Sequence, residues 1–163
     1  MPMVREPREE QTKQLLDLVD LFIENETAMH RYYEVCATRF SESGAVFSHL
    51  ARQEAEHADL FRKVRASIEE KPELWSLGRY HPQTVRVTMN EVQGQIREIV
   101  EGRTNRFYAV TFIRDVEQSL IESDLANAFE TSLQDMRSRI VIVQNQTLQH
   151  RDTLAALVER LRL

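Results

Sequence analysis

Cysteine is almost absent from this chain, since Cys36 is the only one among 163 residues. A single cysteine excludes an intramolecular disulfide and a four-cysteine zinc or iron site. The chain also has only 4 glycines and 4 prolines, and aromatic residues make up 7% of it. With so few turn formers and few β-branched runs, the composition predicts an all-α fold. The length fits one domain over residues 1–163.

Concentrated positive charge and long apolar runs are missing as well. The formal net charge is -5, and acidic and basic residues are interspersed along most of the chain. No basic face is therefore available for nucleic acid, and no polybasic segment for a membrane surface. The segment Met1–Glu6 lacks the apolar core of a signal peptide, and no apolar run approaches the length that spans a bilayer. We expect a cytoplasmic protein without nucleic-acid or membrane partners.

Apolar residues at steps of three and four predict four long helices. Their approximate bounds are residues 9–40, 43–70, 104–129 and 132–161. The short turn after the first helix makes the first two helices antiparallel neighbours. The crossover 71–103 carries a shorter helix whose stripe includes Met89, Val92, Ile96, Ile99 and Val100. A connection of this length lets the second and third long helices run parallel, so the fold predicted is a four-helix bundle with one long crossover.

Polar residues interrupt the apolar stripe of each long helix near its middle. On the second helix, Glu54 and His57 stand in line with Phe47, Leu50 and Phe61. The other stripes contain Glu26 on the first helix, Glu117 on the third, and Thr147 with His150 on the fourth. Helices of similar length that pack side by side bring their middles together. Buried carboxylates need partners, and Glu with His suits iron, manganese or zinc better than calcium.

Each of these residues also has an interpretation without a metal. The carboxylate of a lone Glu26 or Glu117 at the edge of a stripe often reaches solvent. A single buried histidine such as His150 more often donates a hydrogen bond to a carbonyl or carboxylate than binds a metal. Tyr33 shares the face of Glu26, where it either packs or donates to a carboxylate ligand. His30 lies on that face too.

The chain resembles the ferritin-like superfamily, and within it the rubrerythrin-type proteins that consist of the helical bundle alone. The resemblance rests on the segments Glu26–Tyr33 and Phe47–Ala58, and on the similar segment Val116–Ser123. It implies an antiparallel four-helix bundle that binds iron as a di-iron pair. It also implies metal ligation by Glu26, Glu54, His57, Glu117 and His150, with Glu54 as the bridge and Glu26 and Glu117 as terminal ligands on opposite ions.

The fourth helix departs from the family pattern, which has a second Glu three residues before the histidine. Here Thr147 occupies that position, and Gln146 precedes it as a neutral oxygen donor. We therefore expect Tyr33, Gln146 and Thr147 to lie just outside the ligands. One carboxylate is missing, which weakens the attraction for a second divalent ion.

The resemblance leaves three functions open. The first is iron binding by one or two ions, with peroxide reduction or ferrous iron oxidation and an external electron donor. Manganese or zinc are alternative metals. The second is a non-enzymatic bundle whose metal site is degenerate and which serves as a structural or interaction module. The third is a storage shell like that of ferritin. A homodimer or a larger homo-oligomer is also expected, and a storage shell would require the larger assembly.

Overall fold

A computed structural model describes the backbone of residues 6–163 and the burial of side chains from residue 8 onward. Residues 1–5, which belong to the N-terminal segment without the apolar core of a signal peptide, lie outside the described residues. The helices are α1 (Glu6–Arg39), α2 (Gly44–Glu70), α3 (Pro82–Val100), α4 (Arg106–Glu122) and α5 (Gln134–Arg162). Two short strands are β1 (Trp75–Leu77) and β2 (Phe129–Thr131).

The four long helices α1, α2, α4 and α5 form the bundle, and α3 lies in the crossover between α2 and α4. Helix α1 packs along α2, α4 packs along α5, and α3 covers α1. Tyr32 of α1 donates its buried hydroxyl to the carbonyl of Ala109 in α4 at 2.7 Å. The predicted all-α bundle with one crossover helix is confirmed.

Two apolar layers fill the bundle, one on each side of a polar level. We call them the Tyr32 layer, which contains Phe47, Ile113 and Leu154, and the Phe61 layer, which contains Phe22, Val64, Ile140 and Val143. Helix α2 runs from the Tyr32 layer to the Phe61 layer, and α5 runs the opposite way. Along each helix the polar residues lie between the two apolar groups, so all four polar segments meet at one level.

The crossover differs from the prediction in two respects. Its helix α3 is not short, because its 19 residues exceed the 17 residues of α4. Val100 is also not part of the buried stripe, since 59% of it is exposed. The stripe of α3 is carried by residues that are indeed buried: Val85, Val92, Ile96 and Ile99.

The third long helix ends at Glu122, so the predicted end near residue 129 is wrong. Asp124 adopts a left-handed conformation with φ 59°, which an α-helix does not continue through. A 3-10 turn at Leu125–Asn127 and strand β2 follow. Leu125, Ala128 and Phe129 are nevertheless buried. The apolar spacing continues beyond the end of the helix because the turn places Leu125, Ala128 and Phe129 in the core.

Strand β2 pairs antiparallel with β1 from the crossover, with Trp75 opposite Thr131 and Leu77 opposite Phe129. The hydroxyl of Thr131 donates to the carbonyl of Leu74 at 2.8 Å, and the indole N–H of Trp75 donates to Ser67 Oγ at 3.0 Å. This small sheet ties the end of α2 to the start of α5. It closes the Phe61 layer of the bundle.

Candidate metal centre

The polar level of the bundle brings together one or two side chains from each long helix. They are Glu26 from α1, Glu54 and His57 from α2, Glu117 from α4, and Thr147 and His150 from α5, each between 1% and 7% exposed. The spacing of three residues puts both side chains of α2 on its inner face, and the same holds for α5. Carboxylates at this depth require compensation from nearby positive groups or a metal.

Glu54 occupies the middle of the cluster, between the two histidines. Its Oε2 lies 3.1 Å from Nδ1 of His57, and its Oε1 lies 3.0 Å from Nδ1 of His150. The two imidazole rings lie nearly parallel, with centroids 5.6 Å apart and an interplanar angle of 19°. Each oxygen of Glu54 is therefore directed to a different histidine, which is the arrangement expected of a carboxylate that bridges two positions.

The other two carboxylates flank this central group on opposite sides. Glu26 Oε2 lies 3.8 Å from Nδ1 of His57, and Glu117 Oε1 lies 3.3 Å from Nδ1 of His150. The hydroxyl of Tyr33 donates to Glu117 Oε1 at 2.5 Å. The cluster thus has two halves, Glu26 with His57 and Glu117 with His150, joined by Glu54.

Two glutamines orient the histidines across the interface between α2 and α5. Nε2 of His57 donates to Oε1 of Gln146 at 2.7 Å, and Nε2 of His150 donates to Oε1 of Gln53 at 2.7 Å. The hydrogen on Nε2 leaves Nδ1 of each ring facing the carboxylates, where a neutral ring presents a lone pair to a metal. In the described structure, Gln146 fixes the orientation of the His57 ring through this hydrogen bond.

Gln53 is the site residue that the sequence analysis misses. A signal for it is present, because each histidine has a glutamine four residues before it: Gln53 before His57, and Gln146 before His150. Each glutamine accepts from the histidine of the other helix. The repeat relates α2 and α5 as two similar halves, with Glu54 and Thr147 at the equivalent position.

Hydrogen bonds and charge shift the pKa values of the cluster in opposite directions. Burial tends to lower the pKa of the histidines, but bonds to the carboxylates outweigh it and raise the pKa of His57 to about 11 and of His150 to about 10. Burial tends to raise the pKa of Glu54, but hydrogen bonds with Glu26 and both histidines hold it well below its usual value. These directions favour an ionised Glu54 between two protonated imidazoles when no metal is bound.

The outer carboxylates behave differently from Glu54. Burial, followed by repulsion from the charge of Glu54, raises the pKa of Glu26 well above its usual value and also raises that of Glu117. Protons are thus held at the positions where a cation would be most favourable. Cation binding at this level would displace them.

The donor set fits a transition metal. Ligand atoms of Glu26, Glu54 and His57 all lie within 4.8 Å of one another, and so do those of Glu54, Glu117 and His150. Mixed carboxylate and imidazole donors suit iron, manganese or zinc. The two groups share Glu54, so their chemistry is compatible with one ion in each half.

Thr147 and His30 do not join this donor set. The hydroxyl of Thr147 donates to the carbonyl of Val143 in its own helix at 2.9 Å. His30 Nδ1 lies 2.7 Å from the carbonyl of Ala51, and its Nε2 pairs with Glu34. Thr147 is a neutral neighbour of the cluster, and His30 is half-buried outside it.

The fold and the cluster define a helical bundle of the carboxylate and histidine type, with candidate ligands from all four long helices. No helix in the described part of the chain is both long enough and apolar enough to cross a membrane.

Comparison with protein families gives a match to the Rubrerythrin family over residues 17–136. The chain therefore belongs to the rubrerythrin family, which confirms the resemblance found in the sequence. Comparisons with curated proteins and with solved structures gave no match. The matched range includes Glu26, Glu54, His57 and Glu117 but ends before Thr147 and His150.

Proposed function

We propose that this protein binds iron, as one or two ions, at the level of Glu54. The observation that carries the proposal is the sharing of Glu54 by two buried ligand groups whose atoms lie within 4.8 Å of one another. Glu26 and His57 would hold one ion, Glu117 and His150 the other, and Glu54 would lie between them. Manganese and zinc are the competing metals, since they accept the same donors.

Bound iron would supply redox chemistry, either peroxide reduction or oxidation of ferrous iron by dioxygen. The chain's own residues contribute a buried, water-poor environment and fixed protons. Tyr33 holds a proton at Glu117 Oε1, and the glutamines keep the Nε2 hydrogens of the histidines in place. With one cysteine, this chain carries no four-cysteine iron site, so electrons for peroxide reduction would come from an external donor.

A specific observation supports a second candidate, a bundle that keeps the fold as a structural or interaction module. Glu54 is already paired with both histidines, and Glu117 with Tyr33 and His150, through hydrogen bonds within the protein. Thr147 also removes one carboxylate. In this alternative the cluster is a satisfied polar layer between two apolar layers.

Metal analysis of protein from iron-supplemented medium separates the two candidates. We expect at least about one iron per chain, and a large loss in Glu54→Ala because both ligand groups depend on Glu54. Glu56→Ala is the matched control, since this glutamate lies on the same helix and is exposed. Less than one iron, manganese or zinc per chain, unchanged by Glu54→Ala, would refute metal binding. A thermal midpoint that does not respond to chelator would then favour the structural module.

We further propose that residues 1–163 form one domain and that the protein forms a homodimer or a larger homo-oligomer. Helices α1, α2 and α5 each contribute buried residues to both apolar layers, which supports a single domain. Sedimentation analysis tests the assembly. A species no larger than a dimer would remove the storage shell from consideration.

A further inference from the structure

A small cavity lies beside the cluster, on the side of the Phe61 layer. Its polar lining consists of Asn25, Glu26, Tyr80, Glu117, Gln144 and Thr147. The cavity volume is about 10 Å³, and a cavity of about this size holds one water molecule. We call it the Thr147 cavity.

Thr147 explains why there is space at this point. It occupies the position equivalent to Glu54 in the repeat that relates α2 and α5. A threonine side chain extends two heavy atoms less far from the backbone than a glutamate side chain. The hydroxyl of Thr147 donates to the carbonyl of Val143 at 2.9 Å. The carboxylate that Thr147 lacks would extend toward Glu26 and Glu117, which line the cavity.

Two buried polar groups in the wall have no partner. Asn25 Oδ1 and the hydroxyl of Tyr80 make no hydrogen bond to any residue that the structure describes. Asn25 is only 2% exposed. The hydroxyl of Ser123, which lies close enough to influence Tyr80, donates to the carbonyl of Ser119 at 2.7 Å and has no bond of normal geometry to Tyr80. Buried groups of this kind are rarely left unpaired in native proteins.

One water molecule bonded to both groups would satisfy them at once. A water can accept from the hydroxyl of Tyr80 and donate to Asn25 Oδ1, and its second hydrogen is available to Glu26 or Glu117. We propose that the Thr147 cavity binds one water or hydroxide, in the place that a fourth carboxylate would occupy. This site does not depend on the metal binding proposed above.

A high-resolution crystal structure of the metal-free protein tests the water site. We expect one ordered water within hydrogen-bond distance of both Tyr80 Oη and Asn25 Oδ1. Thr147→Gln, whose longer neutral side chain extends into the cavity, should displace it, and Thr147→Ser should keep it. A wild-type cavity without water, or a Tyr80 hydroxyl bonded to Ser123 Oγ in its place, would overturn the proposal.

Discussion

Replacing Gln146 with leucine removes the acceptor for the Nε2 hydrogen of His57, while the ligand atoms of the cluster remain in place. The bond is 2.7 Å long, and His57 is only 2% exposed. Without this acceptor the imidazole of His57 is free to rotate, which turns Nδ1 away from Glu54. The ring must then be reoriented before Nδ1 can bind a metal.

The expected loss of metal affinity follows from the usual contribution of residues that hydrogen-bond to a metal ligand. Removing a hydrogen-bond partner of a metal ligand typically weakens metal binding by about 10-fold to 100-fold. This corresponds to about 1.4–2.8 kcal/mol for Gln146→Leu, at about 1.4 kcal/mol per factor of ten. Gln53→Leu should cost a similar amount through His150, because its bond has the same length, 2.7 Å. Gln146→Glu keeps an acceptor and should retain wild-type affinity or exceed it.

A competition titration with a coloured chelator, using zinc or anaerobic ferrous iron, measures these affinities. Gln149→Leu is the control, since Gln149 is exposed on the same helix, three residues after Gln146. We expect its affinity to stay within about twofold of wild type. Folding of each variant is checked by circular dichroism. A folded Gln146→Leu protein that binds metal as tightly as Gln149→Leu would refute the role assigned to the glutamines.

Two further predictions concern protons and packing. Because the pKa values of His57 and His150 are raised from 6.5 to about 11 and about 10, their protonation stabilises the metal-free protein fully below pH 6.5. This stabilisation is lost as the pH rises through those values, so the thermal midpoint should fall with pH in chelator and metal affinity should rise. A metal-free midpoint that increases over this range would contradict the assignment. Tyr32→Phe removes the 2.7 Å hydrogen bond to the carbonyl of Ala109, which keeps its partner within helix α4. It should therefore lower the free energy of unfolding by ~0.5–1.5 kcal/mol in urea, with unchanged metal content.

The residues of the cluster are predictable because each interrupts an apolar stripe. Glu26, Glu54 and Glu117 stand where a helix otherwise presents Leu, Val or Phe to the core, and periodicity makes such positions visible. Their common level is predictable because, along the chain, each polar residue lies between apolar residues of the Tyr32 layer and apolar residues of the Phe61 layer. The structure adds the pairing of particular atoms, such as each oxygen of Glu54 with a different histidine.

The remaining features depend on tertiary contacts that no local pattern reports. Gln53 and Gln146 are half-buried polar residues at the edge of the stripes, where most glutamines only face solvent. The end of α4 at Glu122 is hidden because Leu125 and Phe129 continue the apolar spacing through a turn. The three-residue strands β1 and β2 are too short for a period of two to appear, and their pairing joins distant parts of the chain.

The charge of the cluster leads to a final prediction about the second ion. Two divalent ions carry four positive charges, whereas Glu26, Glu54 and Glu117 supply three negative ones. A surplus charge at this depth is costly, and Thr147 cannot cancel it. A hydroxide in the Thr147 cavity would cancel this surplus charge, and its formation from water releases one more proton. We therefore expect the affinity for the second ion to rise more steeply with pH than that for the first, and Thr147→Glu to remove the difference. Zinc titrations at several pH values measure both slopes, and equal slopes in the wild type would contradict the charge argument.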